Sequence, residues 1–407
     1  MNLNKLIYRD IGKYPLSPQT VQRETAINHN TLSVLDAWNL CFPQEAYSLL
    51  EEGTNCKLIG RYKITNREEL KRFLATRIKL IDEKNQTYSS HWINGKGKFR
   101  PGKELGFGRW KIIHLNFKAD LKAMFDLLES SWLEVVDIGS NITIDELIAG
   151  NNIRSPVRVF MPRKPNPNGH LIYLAGVRLN NYPFVIGCIP YLERGKRPTP
   201  SEALISLMKK ISQRIDIPYL EDVVIFGDSA FSTKFSIDYL MQKNYKFLLS
   251  VNQYPSSPIK KLKEKSVSSG DWNVLFNTQY NISVFLLNGT NGKNFKLISN
   301  NYTIENTEEE KEQEIMKEAY KTNFNVIDTF NKNFYSFRFP YKHMKWTSLF
   351  LDDLIAISLA NSWALYCASN PNPVLKRVWS DMVASAIFET LSSRINKNQN
   401  IIDDNEN

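Results

Sequence analysis

The chain has 407 residues, of which 42% are hydrophobic and 12% aromatic, which is enough for two or three structural units and excludes a largely disordered protein. Lysine and arginine outnumber aspartate and glutamate by 52 to 42, giving a net charge of +10. This surplus favours a polyanionic partner such as nucleic acid, although a basic surface without a partner is equally compatible with it.

The cysteines and the apolar stretches indicate the cellular compartment of the protein. The cysteines have no CxxC or Cys/His spacing, so we expect reduced, mostly buried thiols and no structural zinc: Cys41, Cys56, Cys188 and Cys367. The N-terminus lacks the apolar core of a secretory signal. The apolar stretch 348–368 contains Asp352 and Asp353, which favours a buried helix over a membrane span. We expect a soluble intracellular protein with no membrane partner, nuclear if the host is eukaryotic.

The first third of the chain is predicted to be mostly helical. Residues 1–55 are polar and indicate a partly flexible N-terminal arm. Apolar residues recur at helical spacing within residues 56–138, on both sides of a loop that is rich in glycine and lysine.

The hydrophobic period changes at Asn141 to that of β-strands. Short runs rich in β-branched and aromatic residues are separated by turns, and they are followed by a helix that opens at Thr199. A buried strand, VVIFGD, then a helix over about 233–243 and the strand YKFLLSVN complete the pattern. Residues 139–253 therefore predict an α/β core, a mixed five-stranded sheet with flanking helices.

The remaining segments alternate between insertion and helix. Residues 254–318 are solvent-rich and predict an inserted module, and residues 319–334 form a helix that returns to the core. Residues 335–396 are helical with a break at NPNP, and residues 397–407 predict a disordered tail.

Three aspartates occupy positions that suit a metal-dependent nuclease. Asp145 lies inside the apolar strand ITIDEL, Asp228 ends VVIFGD, and Asp328 lies on the later helix. Cleaving a phosphodiester uses two divalent ions held by carboxylates from different elements, and Mg²⁺ prefers such oxygen ligands. An acid on the first strand, one after the fourth strand and one on a later helix is the arrangement of an RNase H-like fold.

Each acid also has a structural explanation. Asp145 is compatible with a strand acid bonded to a backbone N–H group, Asp228 with a helix cap, and Asp328 with an exposed helix acid. Singly these explanations are favoured, whereas the order of the three acids together favours a shared site.

The segments around these acids resemble the piggyBac transposase family. ITIDELIAG followed by RVFMPRKPNPNGHLIYLAG is similar to the first block of that family, with its Met-Pro-x-Lys-Pro segment. GDSAFSTKFSIDYLMQKNYKFLLSVN is similar to the second block, and NVIDTFNKNFYSFRFPYKHMKW with LANSWALY to the third. The resemblance extends over about residues 90–394.

The resemblance implies a function and a site. Asp145, Asp228 and Asp328 would be the catalytic, metal-binding triad for two Mg²⁺ or Mn²⁺ ions. The helical segments 56–138 and 335–396 would form a split domain for DNA binding and dimerisation, and 254–318 an insertion domain. The implied activity is nicking at transposon ends, attack by the freed 3′-OH and insertion at an AT-rich target, performed on double-stranded DNA by a homodimer.

Two departures from the family bear on activity. The family has a further aspartate three residues after the third catalytic one, where this chain has Asn331, an uncharged oxygen ligand. Many members also end in a Cys/His-rich zinc module, which the segment NKNQNIIDDNEN does not resemble. A non-catalytic, domesticated DNA- or chromatin-binding protein is therefore the alternative hypothesis. A bacterial insertion-sequence transposase with a Glu as third acid ranks lower, because no suitable Glu follows Asp328.

Basic and aromatic residues provide candidate DNA contacts, each of which is individually compatible with a solvated surface charge or a core side chain. They are Lys98, Arg100, Lys103, Arg163, Lys164, Arg194, Lys196, Arg197, Arg338, Lys342, Lys345 and Trp346.

Overall fold

A computed structural model describes most of the chain. The described residues are 9–12, 16–18, 26–27, 31–83, 88–93, 99, 101–214, 222–251, 272–277, 282–288, 294–304, 309–340 and 345–405.

The helices and strands are numbered in chain order. The helices are α1 (Val34–Cys41), α2 (Gln44–Leu58), α3 (Arg67–Lys79), α4 (Tyr88–Ile93), α5 (Phe107–Asn116), α6 (Leu121–Glu134), α7 (Pro200–Ser212), α8 (Lys234–Gln242), α9 (Glu309–Phe324), α10 (Val326–Phe337), α11 (Trp346–Ser369) and α12 (Lys376–Asn405). The strands are β1 (Arg9–Gly12), β2 (Leu16–Pro18), β3 (Ala26–Ile27), β4 (Val136–Asp137), β5 (Asn141–Gly150), β6 (Arg158–Phe160), β7 (Asn168–Leu179), β8 (Tyr182–Pro190), β9 (Val224–Gly227), β10 (Lys246–Ser250), β11 (Trp272–Asn277), β12 (Ile282–Asn288), β13 (Asn294–Ser299) and β14 (Tyr302–Ile304).

The chain divides into two compact units. The sheet unit comprises residues 1–26, 137–148 and 171–329. The helical unit comprises residues 27–136, 149–170 and 330–407, so it is assembled from segments before, within and after the sheet unit.

The centre of the sheet unit is a mixed sheet with the strand order β8-β7-β5-β9-β10. β9 is parallel to both β5 and β10, and β8 is antiparallel to β7. Parallel pairs need a crossover, which α8 supplies between β9 and β10. The prediction of an α/β fold with a mixed five-stranded core sheet is confirmed.

The sheet continues beyond β10 through strands that come from residues 254–318. β13 pairs with β10, β12 with β13 and β11 with β12, all antiparallel. β1 then pairs with β11, and β2 with β14, so strands from the first 18 residues join this part of the sheet unit. These pairings link segments far apart in sequence, which local sequence patterns do not encode.

Helix α9 covers one region of this sheet. Met316 and Tyr320 pack in a buried cluster with Phe226, Leu248 and Phe285. Near the end of α9, the Asn323 carbonyl accepts a hydrogen bond from Thr143 Oγ1 of β5 at 2.6 Å, and the Thr322 carbonyl accepts one from Arg178 of β7 at 2.6 Å. These bonds fix the end of α9 against β5 and β7.

The helical unit has an aromatic core. Trp38, Trp110 and Trp132 are fully or almost fully buried, and the indole of Trp132 donates to the Cys41 carbonyl at 2.9 Å. Helix α1 begins at a capping box in which Ser33 and Asp36 each accept from the backbone N–H of the other.

Helix α11 is long and apolar enough to cross a membrane by length and composition, but 94% of its most apolar window is buried within the protein. Its two acids are paired: Asp352 binds Arg77, and Asp353 binds Arg338 and His170. The expectation that this stretch is a buried helix is confirmed.

Three further expectations can be compared with the structure. Cys41, Cys188 and Cys367 are buried, as expected, whereas Cys56 is exposed. The segment expected to be a partly flexible arm contains α1 and most of α2. The segment 397–405, expected to be disordered, continues α12, because extending an existing helix avoids the cost of nucleation.

Candidate functional site

Asp145 is held on a central, buried strand. Every residue of β5 from Ile142 to Gly150 is buried, and the side chain of Asp145 is only 5% exposed. One carboxylate oxygen of Asp145 accepts the backbone N–H of Glu146 at 2.7 Å. An acid is rarely buried on a central apolar strand, so this position is a candidate for function.

Asp228 reaches the same place because β5 and β9 are parallel and adjacent. In their register Ile144 lies opposite Gly227. The residue that follows each of these two is an aspartate, Asp145 on one strand and Asp228 on the other. The carboxyl end of a strand in an open α/β sheet is where such folds bind ligands. Asp228 Oδ1 accepts the backbone N–H of Ala230 at 2.8 Å, which orients the carboxylate at the start of the turn.

Glu146 joins these two aspartates in a carboxylate cluster. One oxygen each from Asp145, Glu146 and Asp228 lies within 4.8 Å of the other two. Three converging carboxylates fit the oxygen preference of Mg²⁺ or Mn²⁺. Such a cation would also offset the repulsion between like charges that are held so close together.

Two buried tyrosines lie next to this cluster. Burial raises the pKa of Tyr320 on α9; a hydrogen bond with Ser250 lowers it, and nearby Asp228 and Asp145 raise it further. Burial also raises the pKa of Tyr173 on β7, where Arg197 lowers it and Glu146 and Asp228 raise it. Because the pKa of each phenol is raised, both phenols remain protonated near neutral pH.

Asp328 is placed differently from the other two predicted acids. It lies in the first turn of α10 and is exposed, and it is not among the described carboxylates that lie within 4.8 Å of one another. The start of α10 packs on β7: a Cβ added at Gly176 would come within 2.5 Å of Ile327 Cδ1. Asn331 follows one turn later and is half-buried. Thus the structure brings Asp145 and Asp228 together and anchors Asp328 beside β7, the strand next to β5.

The predicted DNA contacts fall into distinct groups. Lys98, Arg100 and Lys342 lie outside the described residues. The described side chains that are exposed are Lys103, Arg163, Arg194, Lys196 and Arg197, and Lys164 is half-buried. Burial raises the pKa of Tyr173, whereas Arg197, one of these side chains, lowers it.

Three of the predicted contacts are engaged within the helical unit. Arg338 donates to Asp353 at 2.9 Å and to the Gly150 carbonyl at 2.7 Å. Lys345 Nζ donates to the Leu115 carbonyl at 2.9 Å, and the Trp346 ring packs edge-on against Phe350. These contacts stabilise the protein itself. The pattern of basic residues in the sequence could not show that these side chains have partners within the protein.

Sequence reasoning did not select Glu146, Tyr173 or Tyr320. Successive residues of a strand point to opposite faces, so strand periodicity alone does not predict that Asp145 and Glu146 share a site. At the site the two carboxylates nevertheless converge on Asp228. The tyrosines belong to apolar runs that are typical of core, so only their location in the fold distinguishes them.

Comparison with known proteins identifies the family and the fold. A family model described as Transposase IS4 matches residues 116–363 of the chain. A cryo-EM structure of the piggyBac transposase synaptic complex with hairpin DNA has the same fold, with a TM-score of 0.76 and 17% sequence identity over 92% of this chain and 84% of that chain. No curated protein matches the chain. The resemblance predicted from the sequence is thereby confirmed.

Proposed function

Because this chain belongs to the Transposase IS4 family, we propose that it is a metal-dependent DNA transposase that cuts DNA at transposon ends and joins the freed 3′-OH to an AT-rich target. The observation that carries the proposal is the convergence of the Asp145, Glu146 and Asp228 carboxylates where β9 ends beside the middle of the parallel strand β5. Three carboxylates that converge at one point suit phosphodiester chemistry, because that chemistry uses divalent ions held by carboxylates from different elements.

The proposed catalytic triad is Asp145, Asp228 and Asp328, with Asn331 as an additional oxygen donor. Two divalent ions, Mg²⁺ or Mn²⁺, bound there would activate the attacking oxygen and stabilise the leaving oxygen. The fixed strands position Asp145 and Asp228 before DNA binds, so little reorganisation is required at the site. Asp328 completes the set from α10.

The DNA is proposed to bind through exposed basic side chains. Lys103, Arg163, Arg194 and Arg197 suit phosphate contacts, which position a duplex without reading its sequence. The piggyBac structure is a complex with DNA, which supports the same partner for this chain.

We assign DNA binding and dimerisation to segments 56–138 and 335–396, and the insertion to 254–318. Light scattering with and without duplex DNA tests the homodimer; a monomer in both states refutes it.

A non-catalytic, domesticated DNA-binding protein is the second candidate. Two observations favour it: Asn331 replaces the aspartate of the family pattern, and Asp328 does not lie within the carboxylate cluster. On this hypothesis the chain binds duplex DNA but leaves its strands intact in the presence of Mg²⁺ or Mn²⁺. Nuclear location in a eukaryotic host would fit either candidate and is tested by imaging the tagged chain.

A nicking assay separates the two candidates. The substrate is a supercoiled plasmid that carries the DNA flanking this gene, incubated with Mg²⁺ or Mn²⁺. We expect the wild type to nick it and Asp228→Asn to be inactive while binding the DNA equally well, since the amide keeps the shape of the side chain but loses its charge. The matched control is Asp222→Asn, which makes the same change at an exposed aspartate just before β9. Equal, background nicking by wild type and Asp228→Asn would refute the enzyme proposal.

A further inference from the structure

The loop between α2 and α3, residues 59–66, exposes three large apolar side chains. Ile59, Tyr62 and Ile64 are 67%, 49% and 57% exposed. A single exposed apolar residue is common on a protein surface and needs no explanation. Three of them so close together in one loop indicate an interaction surface.

Hydrogen bonds close this α2–α3 loop at both ends. The side-chain amide of Asn55 donates to the Thr65 carbonyl at 2.8 Å, and its oxygen accepts the Thr65 N–H at 2.7 Å. At the other end the backbone N–H groups of Arg61 and Tyr62 donate to the Leu58 carbonyl, at 3.0 and 2.9 Å. The backbone of the loop is therefore fixed to the end of α2.

Arg109 of α5 supports the second half of the loop. Its guanidinium donates to the carbonyls of Lys63 and Ile64, at 2.6 and 2.9 Å, and both oxygens of Glu69 hold it in place. Gly60 has a φ of 77°, a conformation that favours glycine and allows the tight turn. Because the backbone is already ordered, the exposed side chains lose little conformational entropy when they bind a partner.

The charged residues of the same segment are all cations. Residues 57–66 contain Lys57, Arg61 and Lys63, which are exposed, and no aspartate or glutamate. Lys57 and Arg61 form no ion pair with a carboxylate in the described part of the chain. Such a surface attracts a polyanion, whereas a second copy of this chain, with a net charge of +10, is repelled by it.

Duplex DNA matches both the charge and the apolar character of the loop. Its phosphates bind cations, and its minor groove, about 6 Å wide, accepts narrow protein segments. Isoleucine and other apolar side chains are used in this groove as wedges against base steps. An acidic protein surface would satisfy the cations but would leave the apolar side chains without a matching partner.

We propose that the α2–α3 loop enters the minor groove of duplex DNA, with Ile59 and Ile64 against the sugars and base edges and Arg61 on a flanking phosphate. The proposal rests on the proposed function for the identity of the partner as DNA. It adds a contact whose strength does not depend on salt, which exposed cations alone do not provide.

The salt dependence of binding separates the two kinds of contact. The probe is a fluorescently labelled, A·T-rich duplex, and binding is measured by anisotropy over a series of salt concentrations. Ile64→Ser is expected to weaken binding by about ten-fold with no change in the slope of log affinity against log salt, because an apolar contact releases no counterions. Arg61→Gln is expected to reduce that slope by roughly 0.9, the loss of one phosphate contact.

A competitor tests the groove. Netropsin occupies the minor groove of A·T-rich DNA, so on a duplex saturated with it the wild type and Ile64→Ser should bind equally well. A difference that persists on the saturated duplex places the loop outside the minor groove and overturns the proposal.

The matched control is Leu375→Ser, which makes a similar change at an apolar residue of the helical unit that is 62% exposed, and it should leave binding unchanged. Equal losses from Ile64→Ser and Leu375→Ser, or no loss from Ile64→Ser, would overturn the proposal. So would light scattering that shows a dimeric wild type and a monomeric Ile64→Ser without DNA, since the loop would then join two copies of the chain.

Urea midpoints equal to that of the wild type exclude unfolding as the cause of a loss, and Ile59→Ser repeats the test at a second position. The binding readout does not need cleavage. A wild type that binds but never nicks refutes the proposed enzyme, whereas a nicking protein whose Ile64→Ser variant binds like the wild type refutes only the role of the loop.

Discussion

Arg77 and Asp352 form a two-armed ion pair in the core of the helical unit. Nη1 of Arg77 lies 2.6 Å from Oδ1 of Asp352, and Nη2 lies 2.8 Å from Oδ2. Both side chains are buried, and the guanidinium also lies 4.3 Å from the ring centroid of Phe339. The pair joins α3 to α11, so it fixes two helices whose sequences are 275 residues apart.

Asp352→Ala is expected to destabilise the protein by about 3–5 kcal/mol, because it leaves the charge of Arg77 buried without its partner. Urea unfolding measured by tryptophan fluorescence gives the free energy of unfolding. Asp381→Ala is the matched control: Asp381 pairs with Lys79 of α3 at 2.8 Å but is largely exposed, so its loss should cost no more than about 1 kcal/mol. Similar losses from the two variants would contradict the assignment of Arg77 and Asp352 as a dominant core interaction.

A second ion pair in the helical unit gives the stability a dependence on pH. Partial burial raises the pKa of Glu69, but hydrogen bonds from Arg109 and Thr65 outweigh that effect and hold the pKa below its ordinary value. Arg109 binds both oxygens of Glu69, at 2.6 and 2.7 Å. Because the pKa is lower in the folded state, protons favour the unfolded state. This contribution to stability is complete above the unfolded pKa and is lost as the pH falls through the folded pKa.

Glu69→Gln should therefore lower the free energy of unfolding at pH 7 and reduce its dependence on pH in the acidic range. The measurement is a set of urea unfolding curves for the wild type and the variant, from pH 7 to pH 3. The difference between the two proteins should shrink as the pH falls, since the wild-type carboxylate becomes protonated. A difference that stays constant over this range would show that Glu69 acts through packing alone.

Much of the sheet unit could be predicted from the sequence because its signals are local. The apolar runs around Asp145 and Asp228 predict buried strands, and the capping motif at Thr199 predicts the start of α7, which the structure places at Pro200. The parallel pairing of β5 with β9 then follows from the fold class, and it brings the two aspartates together. The local hydrophobic patterns and the strand pairing of the fold class were therefore sufficient to predict that Asp145 and Asp228 lie close together.

The remainder depends on contacts between segments distant in sequence. No local pattern shows that β1 pairs with β11, or that Tyr173 packs beside Phe231. The basic-residue pattern likewise cannot separate Arg338, which binds an acid of α11, from the exposed Arg194. Which charges find a buried partner is decided by the tertiary structure.

Arg338 and Arg194 should consequently respond in opposite ways to substitution. Arg338→Gln is expected to lower stability by roughly 3 kcal/mol, because the buried Asp353 would lose its guanidinium partner and keep the imidazole of His170, and to leave the salt dependence of DNA binding unchanged. Arg194→Gln should leave stability unchanged and reduce the salt slope by about 0.9 if the side chain contacts a phosphate. Urea unfolding and anisotropy titrations with duplex DNA measure the two quantities. A reduced slope for Arg338→Gln would return that residue to the DNA interface.

Asp328 and Asn331 provide the test of whether α10 contributes to the metal site. Asp328 extends from the first turn of a helix whose start is anchored by Ile327 against Gly176, and Asn331 lies one turn further. Asp328→Asn is expected to lower the nicking rate by on the order of 100-fold, as removal of a charged group that stabilises the transition state does.

Asn331→Asp adds a carboxylate on the same face of α10, so it should tighten Mn²⁺ binding several-fold, measured by the electron paramagnetic resonance signal of free Mn²⁺. Lys332→Gln is the matched control, since it makes the same change in net charge at an exposed position of the same helix. If Asn331→Asp and Lys332→Gln change the affinity for Mn²⁺ equally, only the overall field of the protein has changed, and Asn331 lies outside the metal site. If Asp328→Asn also nicks DNA at the wild-type rate, the metal site consists of the Asp145–Glu146–Asp228 cluster without α10.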